Sequence, residues 1–114
     1  MTDKVKITFP GDIYFEWECL DLFIEEHIRK AAPPRIVGRL HIVISFYTHS
    51  KSHSPVSLII IQERIIASLI KKHVIPQQGF CCLVMPEPFT TKFYLGDQNP
   101  RIEVVISRVD ANND

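Results

Sequence analysis

The chain has no apolar run near the ~20 residues a helix needs to cross a bilayer, and no N-terminal apolar segment of the secretory kind. A soluble cytoplasmic protein is therefore expected, with no membrane among its partners. Cysteine is sparse. Cys19 stands far from the adjacent Cys81 and Cys82, a spacing that makes no disulfide framework and agrees with a reducing compartment. A strand position is expected for that pair, as ordinary buried side chains. No Gly-rich phosphate loop, Gly-x-Ser-x-Gly turn, internal repeat or low-complexity run occurs, which removes phosphate-loop enzymes, nucleophile-elbow hydrolases and solenoids from consideration. His49 and His53 fall in a loop, without a Cys-x-x-Cys or a helical His pair to complete the three or four ligands of a transition-metal site.

What is present is a chain of 114 residues, 46% hydrophobic, enough for one domain over residues 1–114 with 110–114 as a frayed end. Val5, Ile7 and Phe9 alternate with Lys4, Lys6 and Thr8 and predict a strand that Pro10-Gly11-Asp12 ends. From about Tyr14 to Ala31, Leu20, Phe23, Ile24 and Ile28 recur at helical spacing, with acids leading and Arg29 and Lys30 trailing as the helix dipole prefers. Phe15 and Trp17 read as core or dimer contacts. The pair Pro33-Pro34 breaks that helix. Arg39 to Thr48 alternates Leu40, Ile42, Ile44 and Phe46 with His41, Val43, Ser45 and Tyr47, the clearest strand in the chain and a central one.

A second helix follows, with Ser54 as its N-cap and Pro55 at its first position. Leu58, Ile61, Ile65 and Leu69 form one apolar stripe; Ile59, Ile66 and Ile70 form another, while Gln62, Glu63, Arg64, Ser68 and the lysines read as wet. So wide an apolar face predicts burial on two sides, against a sheet and against a subunit partner. Gly79 to Met85 reads as a strand that Thr91 to Leu95 resumes, and Ile102 to Val109 as the last strand. The order β-α-β-α-β-β predicts an α/β (α+β) fold: a mixed sheet of about four strands with two helices on one face.

The second helix also carries a resemblance, to the RusA-like Holliday junction resolvases, homodimeric Mg²⁺-dependent endonucleases of phage and prophage origin. In that family an Asp-x-Asp-Asn-Leu-x-x-Lys run opens this helix, an Asp-x-Leu lies further along it and an Asp-Asp pair follows it. Placing Leu69 on the family's helical leucine sets Ser57 and Ile59 on the first two aspartates, Ile60 on the asparagine, and Glu63 on the lysine. Ala67 then falls on the later aspartate, and Gln77 and Gln78 on the closing pair. The strand closed by Pro-Gly and the Asn-Pro-Arg step before the final strand also resemble the family. Mg²⁺ is held by carboxylate oxygens, and these positions supply almost none. The resemblance therefore implies a RusA-like fold whose catalytic and metal positions are degenerate, with no cofactor.

Charge is balanced overall and uneven along the chain: residues 29–73 hold eight bases and one acid, residues 1–28 seven acids and two bases. That asymmetry fits nucleic acid or an acidic protein as partner. The reading that follows is a catalytically inactive homodimer that binds branched DNA or a host or phage protein, with Arg35, Arg39, Lys51, Arg64, Lys71 and Lys72 as phosphate contacts. One alternative is an active endonuclease in which Mg²⁺ is held by carboxylates recruited from Glu63, Glu87 or Asp97. Another is a small inhibitor of a host enzyme that presents Glu25 and Glu26 of the first helix.

Overall fold

The computed structural model describes residues 4–11, 17–48, 55–76, 89–96 and 98–109. Its elements run β1 (Lys4–Pro10), α1 (Trp17–Ala31), β2 (Leu40–Thr48), α2 (Pro55–Lys71), β3 (Phe89–Leu95) and β4 (Arg101–Arg108). The expected order β-α-β-α-β-β and the α+β class are those observed. The expected strand over Gly79 to Met85, its cysteine pair, the loop histidines, Phe15, the Ser54 cap and the tail lie outside the described residues.

One mixed sheet of order β1-β4-β2-β3 forms the floor of the molecule. β4 is antiparallel to both its neighbours, and β2 and β3 are parallel. The three strands β1, β2 and β3 therefore run the same way, with β4 threaded between the first two. β2 is interior, as its alternation predicts.

Register turns that alternation into rows. Ile7, Val104 and Ile44 lie side by side across three strands, as do Phe9, Ile102 and Phe46, and Val5, Ile106 and Ile42. All nine are buried, Ile44 completely. Leu20, Ile24 and Ile28 of α1 and Leu58, Ile61, Ile65, Ile66 and Leu69 of α2 belong to the same core cluster. Both helices thus cover one face of the sheet, because only one parity of β1, β2 and β4 is dry; on β3 the described side chains Thr91, Lys92, Phe93 and Tyr94 are all exposed.

The C-terminal ends of both helices are closed by backbone hydrogen bonds. After α1, Ala32 takes a left-handed φ of 45° and its N–H donates to the Ile28 carbonyl, leaving Pro33 and Pro34 to leave the helix axis. After α2, His73 has φ 61°, its N–H donates to Ile70, and the Val74 N–H reaches back to Leu69. This is a Schellman closure with its expected apolar contact, since Leu69 and Val74 are both buried. Val74 also accepts from the Ile36 N–H, tying the connection after α1 to the end of α2.

Two expectations for α2 change. Ser68, read as wet, is buried, because it lies between Ile65 and Leu69 on the core-facing side of the helix. The second apolar stripe is split: Ile66 is in the core, Ile70 packs at its border and Ile59 is 53% exposed. Replacing Ile65 by alanine should lower unfolding free energy by ~2–5 kcal/mol, whereas Ile59→Ala should stay within about 0.5 kcal/mol. Urea midpoints at constant slope measure both, and equal losses would put Ile59 in the core.

Candidate nucleic-acid interface

The uneven charge of the sequence is largely cancelled where the helices meet. Asp21 and Glu25 stand one turn apart on α1. Arg64 donates to Asp21 at 2.8 Å, and Lys71 and Lys72 pair with Glu25 at 3.2 and 3.6 Å. Glu26 pairs with Lys30 within α1. Three of the six residues expected to hold phosphate thus face carboxylates of this same chain, and the acidic helix face is engaged as well. Arg35 and Arg39 are exposed in the connection before β2, where Arg35 donates to the His73 carbonyl at 3.3 Å. Lys51 lies outside the described residues.

The positions aligned with the resolvase metal site follow a different pattern. Ile59, Glu63 and Ala67 are spaced four apart and all exposed, so they share an outward stripe of α2; Ile60 is half-buried beside it. The Ser57 side chain, Gln77, Gln78, Glu87 and Asp97 lie outside the described residues. The described part of the stripe offers Mg²⁺ one carboxylate and does not fit that ion, which takes several oxygen ligands in octahedral order. Among the described residues no three His, Cys, Asp or Glu side chains converge as a metal group.

The face of the sheet turned away from the helices holds an arrangement that reading the chain strand by strand did not find. Lys4, Lys6 and Thr8 of β1, Arg101 and Glu103 of β4, His41, Ser45 and Tyr47 of β2 and Lys92 and Tyr94 of β3 have the parity opposite to the core. Four cations thus accompany the single carboxylate of Glu103, a surplus of three. Glu103 is the hub: Arg101 Nε donates to it at 2.6 Å and Lys6 Nζ lies 3.5 Å away. His41 and Thr90 bond across β2 and β3 at 2.9 Å.

At the end of this face where β1, β2 and β3 finish, Arg101, Tyr47 and Tyr94 occupy one row. The Arg101 guanidinium sits 3.8 Å from the Tyr47 ring centroid, and the Tyr47 and Tyr94 rings stack at 4.6 Å with only 9° between their planes. β4 and β3 flank β2, so Arg101 and Tyr94 take opposite faces of Tyr47. Stacking of this kind adds ~0.5–1.5 kcal/mol and the cation about 0.5–2 kcal/mol. Each tyrosine sits on the wet parity of its own strand, and that was the available signal; strand order and register were needed to bring them together.

The Arg101 guanidinium bonded to Glu103 holds its carboxyl below the usual carboxylate range, Lys6 acts the same way, and partial burial opposes them. A carboxyl depressed in the folded state stabilises above its unfolded pKa, and the gain is lost as pH falls through the folded value. Thermal midpoints should therefore fall more steeply with acid below about pH 4 in the native chain than in Glu103→Gln. Parallel curves would remove Arg101 and Lys6 as the cause.

No protein-family model matches the chain, and no curated protein matches it significantly.

Proposed function

We propose that this chain is a binding protein on a resolvase-like scaffold, with nucleic acid as its partner and without hydrolysis of its own. The observation that carries this reading is the surplus of cations over carboxylates on the sheet face turned from the helices. Phosphates attract such a surface whatever the sequence, releasing counterions as they are neutralised. Arg35 and Arg39 in the connection before β2 extend the supply of exposed cations. Arg64 and Lys71 are poorer candidates than their place in the basic segment suggested, since Asp21 and Glu25 already answer them. The outward stripe Ile59, Glu63 and Ala67 supports a binding role over metal-assisted cleavage of a four-way junction, because Ile59 and Ala67 offer no oxygen where the resolvase alignment has carboxylates.

Fluorescence anisotropy with a labelled four-way DNA junction between 50 and 200 mM salt tests the proposal (roughly the range over which phosphate contacts are lost). Affinity should fall linearly on logarithmic axes. Lys4→Gln, Arg39→Gln and Lys92→Gln should each reduce the slope by about one, and Arg64→Gln should leave it unchanged. Salt-independent binding, or none, defeats the nucleic-acid reading.

A second copy of this chain is part of the same proposal. Ile59 on α2 and Phe93 on the helix-side parity of β3 are both large, apolar and exposed, at 53% and 44%. Burying both side chains against a second copy would remove that apolar surface from water. Sedimentation should give twice the chain mass, reduced to one by Ile59→Lys with Phe93→Lys; a native monomer would remove the dimer.

A further inference from the structure

The row Arg101–Tyr47–Tyr94 is a stack of planes that ends at the edge of the described sheet. Tyr47 is sandwiched between the guanidinium at 3.8 Å and the Tyr94 ring at 4.6 Å. Tyr94 has one face against Tyr47 and its other directed away from β2, because β3 is the last strand in the order of the described sheet. It remains 42% exposed although one face is stacked on a neighbour. Tyr47, held on both sides, is positioned to keep Tyr94 upright on the sheet.

We infer that the outer face of Tyr94 is a stacking site for one unpaired nucleobase, and that the strand it belongs to runs over the sheet face turned from the helices. This rests on the nucleic-acid reading proposed above and specifies its form as single-stranded. Three features argue for a nucleotide. The site is planar and aromatic, and every base presents a π-face of matching size, so stacking tolerates any sequence. Lys92 stands two residues before Tyr94 on the same face of β3, roughly 6.6 Å back along the strand, so its flexible ammonium reaches a phosphate adjoining the stacked base. The same face carries Lys6, Lys4 and Arg101 against Glu103, the sign of charge that a polyphosphate chain requires.

A duplex does not meet these terms. Its bases already stack on one another, and only its backbone could approach the cations. An unpaired segment, such as a single-stranded end or the open centre of a branched junction, offers both base and phosphate at once.

The test uses the full chain and three labelled probes of equal length: oligothymidylate, the corresponding duplex, and an abasic deoxyribose-phosphate chain. The native protein should prefer oligothymidylate over both others. Tyr94→Ala should weaken oligothymidylate binding by roughly five- to a hundred-and-fifty-fold, the range for loss of one base on one aromatic, and leave the abasic chain unchanged. Tyr94→Phe should retain the native affinity, and circular dichroism of both variants verifies that the fold is intact. Tyr94→Trp should bind like the native chain and lose indole emission on saturation with oligothymidylate. If the abasic chain or the duplex binds as tightly as oligothymidylate, or if Tyr94→Ala binds like native, the stacking site is overturned while phosphate binding stands. If none of the three probes binds, the nucleic-acid reading itself is overturned.

Discussion

Ile44 is wholly buried at the middle of β2, with Val104 beside it on β4 and the two helices above. The strict two-residue period of this strand is the constraint from which the remaining architecture follows. A slip of one residue would expose Ile42, Ile44 and Phe46 and bury His41, Ser45 and Tyr47, so the register between β2 and β4 is pinned by the cost of wetting three large side chains. Once β4 is fixed, β1 follows on its far side through Val5, Ile7 and Phe9. The same period dictates that the opposite parity of every strand collects on the other face. The Arg101, Tyr47 and Tyr94 stack is therefore a by-product of the choice that forms the core.

The helices settle a second question, where charge is available to a partner. Two elements of opposite charge, α1 and α2, lie beside each other on the sheet, and Asp21 and Glu25 meet Arg64, Lys71 and Lys72. These pairs are at the surface and each stabilises little, ~0–1 kcal/mol. Their larger effect is on the surface charge: they turn a segment that looks basic along the chain into a helix pair that is locally balanced. The surplus on the other face of the sheet has one carboxylate against it, and Glu103 is shared between Lys6 and Arg101.

Binding and catalysis make different demands on such a scaffold. Hydrolysis by Mg²⁺ needs carboxylates converging within a coordination sphere, whereas phosphate binding needs cations spread over a surface and base binding needs one exposed ring. The described residues of α2 fail the first demand at Ile59 and Ala67, and the face of the sheet turned from the helices carries Lys4, Lys6, Lys92 and Arg101 together with the exposed ring of Tyr94. No described helix is long and apolar enough to cross a membrane.

Element order, the central place of β2 and the dry side of β1, β2 and β4 were legible in the residues, because periods of two and 3.6 are local and each follows from how side chains leave the backbone. The second apolar stripe of α2 was legible as apolar but not as buried, since periodicity cannot tell what covers a helix face; Ile66 is covered and Ile59 is not. Charge told least of all. Arg64 reaches an acid 43 residues away, and Lys71 one 46 residues away. Tyr47 and Tyr94, too, meet only because β3 lies beside β2 in parallel register. Contacts of that range depend on which strands become neighbours, a matter settled when the whole core closes and invisible in any single segment.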